Sequence, residues 1–230
     1  KVLDGHSDKI NGVEILEDGR ILSYADDKTL RLWDMDGKLL NVLEGHTKTI
    51  NGMEILEDGR ILSHSYDTTL RLWDKDGNIL KILSGHKGTV WGVKILEDGR
   101  ILSYAEDKTI ILWDKDGNLL KVLEGHTGFV LGVKILEDGR ILSYSYHNSL
   151  RLWDNDGNLL KVLDGKNGVN ILEDGRILSY LDNNTLILLD IDENTLELHN
   201  NWFIRGTKIF RDGSILSYSD DLTPRLWDKN

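Results

Sequence analysis

The octapeptide Leu16-Glu17-Asp18-Gly19-Arg20-Ile21-Leu22-Ser23 recurs letter for letter at Leu56–Ser63, Leu96–Ser103, Leu136–Ser143 and Leu172–Ser179, and returns edited at Phe210–Ser217. Over the first four copies the step is 40 residues. A unit that small cannot bury its own hydrophobic face, so a copied unit of this length stacks on its neighbours and shares a core with them. What the copies have in common therefore reports the fold. What they do not share is where function is to be sought.

Each copy reads as four short strands. In the second, Ile50–Leu56 is rich in apolar residues, Asp58-Gly59 is a hairpin signal, and Arg60–Ser65 follows with period-2 alternation. A turn at Asp67-Thr68 leads to Thr69–Trp73, and Asp76-Gly77-Asn78 leads to Ile79–Leu83. Strands this short, punctuated by Asp-Gly, leave no room for an ordinary helix, so the class is all-β. Ile50 and Met53 are three apart with Gly52 between them, which breaks strict alternation and predicts a bulge there and at Gly12, Gly92 and Gly132.

Two dipeptides frame the units. Gly-His stands at Gly5-His6, Gly45-His46, Gly85-His86 and Gly125-His126, and Trp-Asp at Trp33-Asp34, Trp73-Asp74, Trp113-Asp114, Trp153-Asp154 and Trp227-Asp228. With the four-strand pattern between them, the chain resembles the WD40-repeat family over essentially its whole length. The resemblance implies a β-propeller of four-stranded blades around a central channel, with the innermost strand first in each repeat. The repeats run approximately 5–44, 45–84, 85–124, 125–164, 165–200 and 201–230 plus 1–4, giving one domain of six blades over 1–230. The opening Lys1-Val2-Leu3-Asp4-Gly5-His6 matches the last strand of a repeat, Lys121–His126. It is expected to close the ring as the fourth strand of the last blade. Six is fewer than the seven blades most common in the family.

Three repeats carry a His, a Ser, an Asp and a Trp in register: His6/Ser23/Asp27/Trp33, His46/Ser63/Asp67/Trp73 and His86/Ser103/Asp107/Trp113. Taken alone, Ser with His and Asp is the composition of a nucleophile and its base. A catalytic site would not be tripled, and in the family that the chain resembles these four form a hydrogen-bonded structural tetrad, so no catalytic residue is expected. The tetrad then decays. The fourth repeat has His126, Ser143 and Trp153 but His147 for Asp; the fifth has Lys166, Asn183 and Leu189; the sixth keeps Ser217, Asp221 and Trp227, with Trp202 near the His position. Four residues are missing between Lys166 and Ile171, so the loop and first strand of the fifth unit are expected to be clipped, and units five and six to be the softer ones.

Composition narrows the rest. There is no cysteine, so disulfides and thiolate chemistry are excluded, and a cytoplasmic location is expected. No apolar run approaches the length of a membrane span. A net charge of −11 argues against duplex nucleic acid and anionic membranes and for basic or neutral partners. The chain begins with Lys, so a larger parent protein is expected. Asp-x-Asp-Gly turns such as Asp34–Gly37 lack the spacing of a calcium loop, and no phosphate loop, zinc-protease or serine-hydrolase motif occurs; no metal or cofactor is expected.

Differences between copies gather in three columns. The first reads Lys9, Thr49, Thr89, Phe129; the second Asn11, Asn51, Trp91, Leu131; the third Asp26, Tyr66, Glu106, Tyr146, then Asp182 and Asp220. The resemblance puts these positions around the channel mouth, where partners bind. Tyr66, Trp91, Phe129, Leu131 and Tyr146 would form an aromatic arc rimmed by Asp26, Asp182 and Asp220, suited to a peptide with an apolar or basic anchor. The expectation is a non-catalytic scaffold or sensor that binds a protein or peptide. The alternatives are a propeller enzyme working at the channel mouth and a structural repeat without a ligand.

Overall fold

The computed structural model describes the backbone at residues 1–146, 149–164, 167–171, 177–181, 185–189, 195–199, 204–210 and 214–227. Side chains are described at 1–146 and 149–162 and, near the C-terminus, at 207, 208, 210, 214–218 and 220–227. Every described element is a strand. The first sheet is β1 (Ile10–Ile15), β2 (Ile21–Ala25), β3 (Leu30–Trp33) and β4 (Leu39–Leu43). The second is β5 (Ile50–Ile55), β6 (Ile61–Ser65), β7 (Thr69–Trp73) and β8 (Ile79–Ser84). The third is β9 (Val90–Ile95), β10 (Ile101–Ala105), β11 (Ile110–Trp113) and β12 (Leu119–Leu123). The fourth is β13 (Val130–Ile135), β14 (Ile141–Ser145), β15 (Ser149–Trp153) and β16 (Leu159–Asp164). The fifth is β17 (Asn167–Ile171), β18 (Ile177–Leu181), β19 (Thr185–Leu189) and β20 (Thr195–His199). The sixth, β21 (Ile204–Ile209), β22 (Ile215–Ser219) and β23 (Pro224–Trp227), has three described strands.

In every sheet, spatial order follows chain order and the described ladders are antiparallel, as short hairpin connections dictate. The expected bulges fall at Gly12, Gly52 and Gly92, where the register slips between the first and third residues of the leading strand. Steric need explains the glycine. Gly12, Gly52 and Gly92 lie opposite Tyr24, His64 and Tyr104, and a Cβ at Gly12 would sit 2.4 Å from the Tyr24 ring. The clipped fifth repeat still forms four strands; its first is one residue shorter, and the bulge survives between Asn167 and Val169.

The chain divides into two compact units, Lys1–Val133 with Asp156–Asn158, and Lys134–Asn155 with Leu159–Asn230. Within the first, neighbouring sheets share their cores. Leu22, Leu30, Leu32 and Leu43 of the first sheet pack with Ile50, Ile61 and Trp73 of the second. Leu62, Leu70, Leu72 and Leu83 of the second pack with Val90, Ile101 and Trp113 of the third. This is the packing that the 40-residue period demands: the face that one unit cannot bury is covered by the next. The first sheet has no such predecessor within its unit. Ile10 is 48% exposed where its counterparts Ile50 and Val90 are 0% exposed.

In the second unit, the fourth sheet carries Trp153 with its indole donating to Ser143 Oγ at 2.8 Å, and the sixth repeats this with Trp227 and Ser217 at 2.7 Å. Leu142, Leu150 and Leu152 are buried there, as is Ile215.

His64 occupies the column that holds Tyr24, Tyr104 and Tyr144 in the other copies. The ring is buried, Nδ1 lies 3.2 Å from the Val90 carbonyl, and burial pushes its pKa down to about 4, with the nearby His46 adding to the effect against the Val90 bond. Between pH 6.5 and about 4 the unfolded chain holds a proton on this ring that the folded chain does not, so stability is expected to fall as pH falls through that window. The tetrad aspartates extend the loss further. Asp27 titrates at about 2 in the folded chain, so its contribution is present above the ordinary carboxylate range and disappears as pH falls towards about 2. His64→Tyr is expected to abolish the upper limb and leave the lower one. Urea midpoints at pH 7, 5 and 4 measure this, and an unchanged upper limb in the variant would assign it to other groups.

Candidate functional site

The tetrads assemble at one end of the sheets with nearly identical geometry. Trp33 Nε1–H donates to Ser23 Oγ at 3.0 Å, His6 Nε2 lies 2.8 Å from the same oxygen, and His6 Nδ1 lies 2.8 Å from Asp27 Oδ2. The second set repeats these at 2.9, 2.8 and 2.8 Å, and the third at 2.9, 2.8 and 3.0 Å. The indole can only donate, so Ser Oγ accepts from it and donates its own proton to Nε2, and Nδ1–H donates to the carboxylate. The aspartate also accepts from the backbone amide after the histidine, Ser7, Thr47 or Lys87, and from the threonine two residues on. Burial works to raise the Asp67 and Asp107 pKa values, but the bonds from His, Thr and the loop amide outweigh it and hold both far below the usual range.

As chemistry, this arrangement points away from a nucleophile. Ser63 and Ser103 are 0% exposed, and each hydroxyl accepts from an indole. What the tetrad does is tie the loop before the first strand to the second and third strands of the same sheet. In the fourth repeat Trp153 keeps its bond to Ser143, while His147 lies outside the described residues. So do Lys166, Asn183 and Trp202, and the Leu189 side chain. In the sixth, Asp221 accepts from Arg225.

The variable columns stand at the same end as the tetrads. The Asp26 amide donates to the Lys9 carbonyl at 2.9 Å, Tyr66 to Thr49 at 3.1 Å and Glu106 to Thr89 at 2.9 Å, so the first and third columns are adjacent across the bulge. Two members of the second column turn out to be ties between sheets. Asn11 Nδ2 donates to Asp26 Oδ1 at 2.7 Å and to the Ile50 carbonyl at 3.3 Å. Asn51 Nδ2 reaches the Val90 and Trp91 carbonyls of the next sheet at 3.3 and 3.0 Å. Both amides therefore hold neighbouring first strands together, and Asp26 is occupied by Asn11.

Where the asparagine is replaced, aromatic and apolar surface appears. Tyr66 and Trp91 pack edge to face, ring centroids 6.0 Å apart and planes at 69°, and each is 38% exposed. Phe129 and Leu131, in the same unit, are also exposed. Tyr146 and Asp220, in the second unit, are exposed there, and Asp182 lies outside the described residues. Sequence reading passed over one column that the structure makes prominent. Glu14, Glu54 and Lys94 stand at one position of the first strands, close enough that Glu54, its pKa raised by burial, feels Lys94 and Glu14. The sign change between Glu54 and Lys94 was the available signal.

At the opposite end, Arg20 joins Asp18 of its own turn to Asp76 of the next sheet at 2.7 and 3.5 Å, and Arg60 and Arg100 repeat the arrangement with Asp116 and Asp156. Leu43 and Leu83 lie over Gly77 and Gly117 of the following sheet, and Lys81 bonds Asn118. Among the described residues there is no cluster of side chains able to hold a metal ion, and no helix long and apolar enough to cross a membrane.

Four-stranded antiparallel units with a repeated Trp-Ser-His-Asp network and Gly-bulged first strands define a β-propeller-like repeat class. The pattern described as WD domain, G-beta repeat (WD40) matches residues 1–34, 37–74, 77–114 and 117–154, and the chain belongs to that family. No curated protein matches it. WD40 repeats generally serve as protein–protein interaction scaffolds and are typically non-catalytic.

Proposed function

We propose that this chain is a non-catalytic scaffold or sensor module that binds a protein or peptide across the tetrad end of its blades. The observation that carries the reading is the exposed edge-to-face pair Tyr66–Trp91, in which Trp91 stands where the earlier copies place the Asn11 and Asn51 ties. Exposed rigid aromatics next to a well-ordered framework are the usual anchors of an interface. The buried, indole-bonded serines support the non-catalytic reading. Truncating Tyr66 or Trp91 to alanine is expected to weaken a bound partner by about 2 kcal/mol. Proteins retained by the wild-type chain and by a Tyr66→Ala/Trp91→Ala chain of equal unfolding midpoint are to be compared. Identical sets on both would remove this face from the reading.

The single-domain reading extends to a six-bladed ring over 1–230 in which Lys1–Asp4 supplies the last blade's fourth strand. Support comes from the N-terminal segment, whose Leu3 lies over Gly37 as Leu43 lies over Gly77 and Leu83 over Gly117. Leu3 thus packs as the last leucine of a fourth strand does, although Lys1–His6 forms no strand in the structure. The sixth sheet, three-stranded as described, is the one short of such a strand. A cysteine-free chain suits a cytoplasmic setting.

A further inference from the structure

We propose that Tyr66, Trp91 and Glu106 together seat the basic side chain, arginine or lysine, of the peptide partner. The inference rests on the peptide-binding reading above and names what that peptide must carry. Three polar groups at this end of the second and third blades have no partner among the described residues: the Tyr66 hydroxyl, the Trp91 indole N–H and the Glu106 carboxylate. Their juxtaposition follows from the repeat. Positions 11 and 26 touch in the first blade, where Asn11 Nδ2 donates to Asp26 Oδ1 at 2.7 Å. Trp91 and Glu106 stand at the same two positions of the third blade, and the backbone bond that fixes the pair is the same, Asp26 N–H to Lys9 and Glu106 N–H to Thr89, both at 2.9 Å. Trp91 packs on Tyr66 of the preceding blade, and Glu106 stands in its own blade at the position that Asp26 holds beside Asn11.

The first blade satisfies its carboxylate internally; the third replaces the donor by an indole and leaves Glu106 half-buried and unpaired. An apolar anchor on Tyr66 and Trp91 would strip water from that carboxylate without replacing its hydrogen bonds, which is unfavourable. A guanidinium or ammonium stacks against the aromatic faces and pairs with the carboxylate at once. The free indole N–H then suits a main-chain carbonyl of the peptide. The net charge of −11 draws a basic segment towards the chain.

A randomised peptide library displayed on phage and panned against the full chain tests this, with Glu106→Gln and Trp91→Leu as comparison baits. Trp91→Leu is a replacement that the fold already accepts, because Leu131 holds the position in the fourth blade. The expected result is a set of peptides sharing an arginine or lysine whose replacement by citrulline or norleucine weakens binding at least tenfold, with the same change having little effect on Glu106→Gln. Peptides that need Trp91 but tolerate the neutral replacement and the Glu106→Gln bait would overturn the basic anchor and leave the binding face standing. Peptides held equally by Trp91→Leu, or no selection on the wild-type bait, would remove the face and this inference with it.

Discussion

Replacing Trp113 by alanine is expected to destabilise the chain by about 3–5 kcal/mol, the range of a buried large-to-small change. Trp113 is 2% exposed and packs on Leu62, Leu70, Leu72 and Leu83 of the preceding blade, so its removal opens a cavity between two blades. It also removes the donor to Ser103 Oγ and loosens the chain of bonds through His86 to Asp107. Trp91→Ala removes as much side chain from an exposed site and is expected to change stability by much less. Ser103→Ala separates packing from bonding: it keeps the indole in place but leaves its N–H buried without an acceptor, at about 1–3 kcal/mol. Denaturant unfolding of the three variants gives the order Trp113→Ala, Ser103→Ala, Trp91→Ala. Equal losses for the two tryptophan variants would mean that Trp91 lies in a core.

The tetrads were legible through the resemblance: copying sets His46, Ser63, Asp67 and Trp73 at constant spacing and the family implies that such a set is a structural hydrogen-bonded unit, while the structure supplies which atom bonds which. The glycine bulges were legible because period-2 alternation breaks there. Other features need the neighbouring blade to be present. Nothing in the string Asn51-Gly52 says that the amide reaches a carbonyl of the next copy, so Asn11 and Asn51 read as positions of the partner-binding face, and the structure adds that they tie neighbouring blades. Variation between copies marks positions released from copying without telling a partner site from an altered packing site. His64 is the clearest instance. It varies next to the third column, yet it faces the interior against Val90. Leu3 had the opposite fate: the sequence assigned it to a strand, and the structure adds the surface against which it packs, Gly37.

That contact makes the closure of the ring testable by subtraction. Deleting Lys1–Asp4 is expected to lower stability by about 3 kcal/mol, from burial of Leu3, about 1.5–3 kcal/mol, and ladder bonds at about 1 kcal/mol each. Leu43→Ala provides the scale. Leu43 is 1% exposed over Gly77, and its truncation is expected to cost about 2–5 kcal/mol whatever the ring does. If Lys1–Asp4 pairs with β23, Leu3→Ala should approach that value, because the strand would be held on both sides. If it merely lies on the first blade, Leu3→Ala should cost far less. The deletion should also leave the edge of the last blade without cover and so drive self-association measurable by light scattering. A deletion variant with the parent's unfolding midpoint and a monomeric mass would overturn the six-blade closure. The first blade's exposed face would then require another occupant.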